Sequence, residues 1–198
     1  MENQEKNKIF VTSDWHFNHP GILHMERTRF TSIEEHNEFI ISRYNKTVGE
    51  DDVCYVLGDV GFAPLEELKP IIRSLHGKKI LIKGNHDRFN KGQALDLGFA
   101  EYYDHPVYYN SKIILSHEPV REAFNNPYVV NIHGHLHGAR LAYPNFVNVN
   151  VSSTDYLPLD LEVLSNKVLK GKFGGIPKNR RETFGKEWYA SGYVWTCE

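Results

Sequence analysis

One pattern constrains the fold more than any other: a short apolar run is followed at once by a cluster of Asp, His or Asn, and this recurs along the chain. In the first half the apolar runs are Lys8 to Ser13, Val53 to Leu57 and Lys79 to Ile82. Apolar runs of this length predict buried strands. The pattern therefore predicts an α/β protein in which strands end in chemically active side chains.

Helical patterns separate these first three strands. A helix is predicted from Thr31 or Ser32 to Gly49, because the spacing of a capping box with Glu34 or Glu35 is followed by a single apolar face. The segment 64–75 also has a helical pattern, and Pro70 within it predicts a kink or two short turns. The order strand, helix, strand, helix, strand predicts parallel strands joined by crossover helices.

The second half of the chain has a different character, because short β-like runs are separated by turn residues. The one helical pattern among them lies near Lys91 to Leu97. Such spacing predicts a second, more antiparallel sheet. The predicted strands are Val107 to Tyr109, Lys112 to Ser116, Val129 to His133, Phe146 to Val151 and Leu159 to Leu164.

Composition narrows the class of protein. The 198 residues suffice for one domain with its own core. Two cysteines exclude a disulfide framework or a thiolate metal cluster and favour a reducing compartment. The polar start from Met1 to Lys8 lacks the apolar run of a signal peptide, and no segment has the length of a membrane span. We therefore expect a cytoplasmic protein with no membrane partner.

The net charge of −2 is unevenly distributed. Residues 165–198 contain seven Lys/Arg, three Asp/Glu and six aromatic residues, so the preceding part of the chain is acidic. We predict a catalytic domain over residues 1–164 and a basic aromatic extension over residues 165–198. Packing of this extension on the domain is expected, although contact with nucleic acid or with a protein partner would also suit its composition. The acidic domain argues against broad affinity for nucleic acid.

Five polar clusters follow the predicted strands, and their side chains share one chemistry. The carboxyl ends of strands in an open α/β sheet meet at a common crevice, so the clusters can converge. Their nitrogen and oxygen donors suit Mn²⁺, Fe, Zn²⁺, Co²⁺ or Ni²⁺. Singly, each Asp or Asn could be an ordinary turn residue. The clusters are Asp14-Trp15-His16, Gly58-Asp59, Gly84-Asn85-His86-Asp87, Ser116-His117 and Gly134-His135-Leu136-His137.

Other polar residues near these clusters have structural interpretations. Arg27 and Arg29 could contact phosphate, but solvated loop charges are the expected state. His19 and His133 are expected to support the ligands or the fold without binding metal. The glycines that precede Asp59, Asn85 and His135 would let the backbone approach an ion closely.

The five clusters, in this order over residues 14–137, resemble the signature of the calcineurin-like metallophosphoesterases: Asp-x-His, Gly-Asp, Gly-Asn-His-Asp, a lone His, and Gly-His-x-His. The length and the run from Ser13 to His19 are similar to the small bacterial and phage members of that family. The resemblance implies an α/β fold of two facing mixed β-sheets flanked by helices.

The resemblance also implies roles for particular residues. Asp14, His16, Asp59 and His137 would bind one divalent ion, and Asp59, Asn85, His117 and His135 would bind the other, with Asp59 bridging the two. His86 would be the catalytic residue near the leaving group, and Asp87 would orient it.

The implied activity is hydrolysis of a phosphodiester with a nucleotide-like group, by a hydroxide that bridges two metal ions. Mn²⁺ is the expected ion, with Fe, Zn²⁺, Ni²⁺ or Co²⁺ as alternatives. A phosphomonoesterase acting on nucleotides and a non-catalytic binding scaffold of the same fold remain alternatives. The expected partner is thus a small phosphate ester, with nucleic acid left open.

Overall fold

The computed structural model describes residues 7–170, which form two β-sheets with helices around them. The strands are β1 (Ile9–Thr12), β2 (Val53–Val56), β3 (Lys78–Ile82), β4 (Glu101–Tyr103), β5 (Val107–Asn110), β6 (Ile113–Leu115), β7 (Val130–His133), β8 (Phe146–Asn148) and β9 (Leu159–Asp160). The helices are α1 (Gly21–Met25), α2 (Ile33–Thr47), α3 (Leu65–Arg73), α4 (Lys91–Leu97), α5 (Arg121–Asn125) and α6 (Leu161–Leu169), with one 3₁₀ turn at Val151–Ser153.

Both sheets are mixed. The first has the order β4-β3-β2-β1-β9, in which β1 to β4 are parallel and β9 is antiparallel to β1. The second has the order β5-β6-β7-β8, in which β6, β7 and β8 are parallel and only β5 is antiparallel. The predicted architecture of two mixed sheets flanked by helices is confirmed.

The alternation of side chains along the strands divides the core into layers. Val11 on β1 packs in the same cluster as Leu115 and Ile132 of the second sheet, so this cluster lies between the sheets. The neighbouring Phe10 packs instead in the cluster that contains Tyr44 of α2 and helical residues of α3 and α4. Successive strand residues point to opposite faces. The first sheet therefore buries both of its faces, one against the second sheet and one against helices.

Helix α2 begins as the sequence predicts. The hydroxyl of Ser32 accepts a hydrogen bond from the amide of Glu35 (3.1 Å), which satisfies one of the free amides of the first turn. The carboxylate of Glu35 reaches one residue further back and accepts from the amide of Thr31 (2.7 Å). Both candidate residues thus contribute to the start of the helix.

Several details of the sequence-based prediction were wrong. The second sheet is mostly parallel, whereas a more antiparallel sheet was expected. The predicted strand from Leu159 to Leu164 ends at Asp160, because the Asp160 carboxylate accepts a hydrogen bond from the amide of Val163 (2.9 Å) and begins α6. Of the two outcomes predicted at Pro70, a kink or two short turns, the second is wrong, because α3 is one helix with Pro70 inside it. Strand β4 and helices α1 and α5 were not predicted.

The predicted boundary at residue 164 falls inside α6, whose Leu161, Leu164 and Val168 pack against the inter-sheet core. The first residues of the predicted extension are therefore part of a helix of this domain. The expectation for the rest of that extension lies outside the described residues. In the described part of the chain, every helix is too short or too polar to cross a bilayer.

Candidate metal centre

The five ligand clusters predicted from the sequence converge at the carboxyl ends of β1, β2, β3, β6 and β7. Ligand atoms of Asp14, His16 and His137 all lie within 4.8 Å of one another. Ligand atoms of Asp14, Asp59 and His117 do the same. Because three donors at such separations can face one small ion, the structure offers two adjacent sets of ligands.

Two further predicted ligands join the second set. The side-chain oxygen of Asn85 lies 2.8 Å from Nε2 of His117 and 3.1 Å from Nδ1 of His135. These two imidazole nitrogens are 3.2 Å apart. Asn85, His117 and His135 therefore direct three donor atoms at one point, next to the carboxylate of Asp59.

Two carboxylates adjoin both sets: Asp14 is a member of each, and Asp59, a member of the second, also lies next to His16 of the first. Oδ2 of Asp59 is 3.7 Å from Nε2 of His16, and its Oδ1 is 3.5 Å from Nε2 of His117. Asp59 is almost completely buried. One carboxylate with an oxygen toward each set has the geometry of a ligand shared by two cations.

The chemistry of the donors fits a divalent ion. His16 is 1% exposed, and neither of its ring nitrogens makes a hydrogen bond to any residue within 7–170. Burial, together with the charge of Arg27, lowers the pKa of His16, so its imidazole is neutral. A buried neutral imidazole beside the carboxylates of Asp14 and Asp59 lacks a partner that a cation would supply.

The tautomer of His117 is set by its surroundings. Its Nδ1 lies 2.7 Å from the carbonyl oxygen of Leu57, which can only accept, so Nδ1 carries the proton and donates it. The lone pair is then on Nε2, the nitrogen that faces Asn85 and Asp59. Burial lowers the pKa of His135 to about 4, which keeps the imidazole of His135 neutral. Both rings can therefore offer a nitrogen atom to a metal ion.

The backbone at most predicted ligands is left-handed. Positive φ angles of 51° to 66° occur at Asp14, His16, Asp59, His135 and His137. This conformation disfavours a residue with a Cβ by about 1–2 kcal/mol, although Asp, Asn and His tolerate it better than most. The ligand loops therefore store strain that the surrounding contacts must offset.

Close contacts between loops explain two of the glycines better than an approach to an ion does. A Cβ at Gly134 would overlap the carboxylate of Asp14 and the side chain of Ser13. A Cβ at Gly84 would overlap the backbone and carboxylate of Asp59. Glycine was predicted at these positions to let the backbone approach an ion. In the structure each glycine instead lies against another loop that carries a predicted ligand.

His86 and Asp87 differ in their surroundings. His86 is exposed, and its backbone amide donates to Oδ1 of Asp59 (3.0 Å). Asp87 is buried, and its carboxylate accepts from the amides of Asp59 (3.0 Å), Val60 (2.9 Å) and Gly84 (2.8 Å). Within residues 7–170 no hydrogen bond joins Asp87 to the imidazole of His86. Asp87 therefore holds the two ligand loops together, and the expectation that it orients His86 is not met by these contacts.

A phenylalanine that the sequence did not single out lies among the histidines. The ring of Phe62 stacks on His16 and His19, with centroids 5.4 and 4.0 Å away, and is tilted against His86 at 4.9 Å. His19 is thus placed beside the ligands without completing either donor set. The apolar ring of Phe62 therefore packs against all three of these imidazoles.

Arg27 was expected to be a solvated loop charge, but its guanidinium is buried. It donates to the carbonyl oxygens of Trp15 (2.7 Å) and Asp14 (2.5 Å), and it pairs with Glu26. Glu26 also lies 3.1 Å from Nδ1 of His137. The sequence carried no signal for these contacts, since Glu26 and Arg27 lie between motifs.

Beyond this geometry, the sequence as a whole matches the family model described as calcineurin-like phosphoesterase over residues 7–191. The chain belongs to this family. Its members' phosphate-ester chemistry with divalent ions agrees with the two donor sets described above.

Individual relatives are similar over most of their length. An uncharacterized protein of Methanocaldococcus jannaschii is 30% identical over 179 residues, which are 83% of this chain and 93% of that protein. A protein of unknown function from Aquifex aeolicus has a solved structure with a TM-score of 0.64 and 28% identity, covering 81% of this chain and 99% of that chain. The nuclease MPE of Pseudomonas putida superposes with a TM-score of 0.45 at 23% identity, covering 65% of this chain and 61% of that chain.

Proposed function

We propose that this calcineurin-like phosphoesterase hydrolyses a phosphodiester with a nucleotide-like group, using two divalent metal ions, with Mn²⁺ as the first candidate. The observation that carries the proposal is the convergence of two donor sets at Asp59, whose two carboxylate oxygens lie near His16 and His117. Two ions so held would neutralise phosphate charge and lower the pKa of a water between them. The alternative of a non-catalytic scaffold is disfavoured because all of the predicted ligand residues are present in the sequence.

The side chains of the site have two proposed roles, which are to bind the metal ions and to support the loops that hold them. Asp14, His16, Asp59 and His137 hold one ion, and Asn85, His117 and His135 hold the other together with Asp59. Asp87 holds the loops of Asp59 and Gly84 together, because its carboxylate accepts hydrogen bonds from three of their backbone amides. Phe62 stacks on the ring of His16 and so supports its orientation.

His86 is the proposed catalytic residue. Its backbone amide is tied to Asp59, and its exposed ring projects beside the ligands, with a centroid 6.2 Å from that of His16. From there it can donate a proton to, or stabilise, the oxygen that leaves phosphorus. A general acid contributes about 10² to 10⁴ in rate.

The position of Arg27 removes one candidate contact to the substrate phosphate. Its guanidinium lies behind the first ligand loop and is engaged with the carbonyl oxygens of Asp14 and Trp15, so it does not face a substrate. A monoester carries about two negative charges at neutral pH, so it would gain more from a guanidinium that contacts its phosphate than a diester, which carries one.

The test of the function compares matched substrates with the Mn²⁺-loaded protein. We expect bis-p-nitrophenyl phosphate to be hydrolysed with a kcat/KM at least about tenfold above that for p-nitrophenyl phosphate, and cyclic and dinucleotide diesters to follow it. The reverse ratio would make the protein a monoesterase. Hydrolysis of neither, with two ions bound, would support the scaffold.

A second experiment tests His86. His86→Ala should keep both ions and lower turnover by about 10² or more on a diester with a poor leaving group. A p-nitrophenolate leaving group needs little protonation, so its release should suffer less. Equal losses on both substrates would assign His86 to phosphate positioning, and no loss on either would remove it from the mechanism.

A further inference from the structure

Glu26 belongs to none of the five ligand clusters, yet it contacts one of their members. From its contacts we infer that Glu26 is a positioning residue that fixes the tautomer and orientation of His137 as a metal ligand, and so sets the affinity of one of the two sites. The inference rests on the proposed function in one respect, because it requires His137 to bind a metal ion.

The first step is the direction of the hydrogen bond. Oε2 of Glu26 lies 3.1 Å from Nδ1 of His137. The other oxygen of this carboxylate, Oε1, forms an ion pair with the guanidinium of Arg27, whose Nε lies 3.1 Å away. An ionised carboxylate can only accept. Nδ1 of His137 therefore carries a proton, which leaves Nε2 as the nitrogen that can bind an ion.

The second step is that the carboxylate is itself held. Its Oε1 accepts from the hydroxyl of Ser152 (2.8 Å) and from Nε of Arg27 (3.1 Å). Ser152 also receives a hydrogen bond from Nε of Arg27 (3.2 Å). Glu26 thus has a fixed position from which it can determine where the ring of His137 points.

The third step connects Glu26 to the ligands on the other sheet. Arg27, which binds Glu26, also donates to the carbonyl oxygen of Asp14. Asp14 in turn accepts from the backbone amide of His135 through both carboxylate oxygens, at 3.1 Å each. Glu26 and Arg27 therefore link His137 to the loop that carries Asp14 and His16, the other ligands of the same donor set.

These contacts predict a loss confined to one ion. A carboxylate behind a metal-bound imidazole increases its basicity and fixes its ring, and removing such a partner lowers metal affinity about 10- to 100-fold. Glu26 contacts His137 and neither His117 nor Asn85 among the described residues. The site formed by His117, His135 and Asn85 should therefore keep its affinity.

The experiment is calorimetric titration of Mn²⁺ into the full-length, metal-stripped protein. We expect Glu26→Ala to weaken one of two binding steps about 10- to 100-fold and leave the other within about twofold. Glu26→Gln keeps a hydrogen-bond acceptor and should lose clearly less. Glu67→Ala is the matched control, because the Glu67 carboxylate lies beside the first ligand loop, accepts from Asn18 (3.3 Å), and touches no predicted ligand.

A double-mutant cycle separates positioning from a structural role. His137→Ala should weaken the same step, and Glu26→Ala added to it should cause no further loss. An unchanged Mn²⁺ titration in Glu26→Ala would overturn the inference. Equal weakening of both steps, with a lowered melting temperature of the metal-free protein, would also overturn it. If the wild-type chain bound a single ion, the two-metal function would fail, while a His137-dependent loss of that ion in Glu26→Ala would still support the inference.

Discussion

Acid should destabilise this protein through His36, a histidine that binds no metal. His36 is fully buried on α2, and its Nε2 lies 2.8 Å from Nη1 of Arg27, so the neutral imidazole accepts a hydrogen bond from the guanidinium. Burial and the charge of Arg27 lower the pKa of His36 to about 4 from an ordinary value of 6.5. Protonation would place two buried cations in contact.

The sign and size of the effect follow from proton linkage. Because the pKa is lower in the folded state, the unfolded chain binds more protons at His36 between pH 6.5 and 4. The stabilisation is therefore complete above pH 6.5 and is lost as pH falls through this window. With these two pKa values the loss between pH 7.5 and pH 5 is about 2 kcal/mol. For a urea dependence of about 2 kcal/mol per molar, the unfolding midpoint would shift by about 1 M.

Urea unfolding at pH 7.5 and pH 5 measures this difference. His36→Gln, whose amide oxygen can still accept from Arg27, should be about 2 kcal/mol less sensitive to this pH change than the wild-type protein. His24→Gln, at an exposed position on α1, is the matched control and should keep the wild-type sensitivity. Other groups titrate equally in all three proteins. If His36→Gln and the wild-type protein lost the same stability, the argument from burial would be refuted.

Two further predictions concern the ligand loops. Asp59→Asn should weaken both Mn²⁺ binding steps about 10-fold or more, because one carboxylate faces both donor sets. His137→Ala should weaken mainly one step. Calorimetric titration measures both steps, and identical losses in the two variants would contradict the shared role of Asp59. Gly134→Ala should reduce Mn²⁺ affinity and the melting temperature together, by about 1–3 kcal/mol in stability, because a Cβ there overlaps the carboxylate of Asp14. Gly138→Ala, where a Cβ meets nothing within 4 Å, is the control, and equal effects of the two substitutions would refute the steric argument.

The parts of the site that could be predicted are those encoded locally. Asp14, Asp59 and Asn85 each follow an apolar run directly, and β1, β2 and β3 are parallel neighbours, so their carboxyl ends share an edge. A strand and the residues after it occupy a short stretch of sequence, and the topology then brings the stretches together.

The contacts of Arg27 could not be predicted, because they depend on distant parts of the chain. Arg27 reaches Ser152, which is 125 residues away, and His36 across the turn into α2. Nothing in the residues around Arg27 distinguishes this buried cation from a solvated one. The parallel second sheet was missed for a similar reason, since α5 is a five-residue helix between β6 and β7 and no helix lies between β7 and β8. Without long crossover helices, the sequence lacks the usual sign of parallel strands.

The ligands are divided between the two sheets, and this has a consequence for how the protein unfolds. Asp59 follows a strand of the five-stranded sheet, whereas His117 and His135 follow strands of the four-stranded sheet. An ion held between them is a cross-link between the sheets and would stabilise the folded state in proportion to its binding. In amide hydrogen exchange, a chelator should then accelerate opening of β6 and β7 relative to β1 and β2, so that one cooperative unit becomes two.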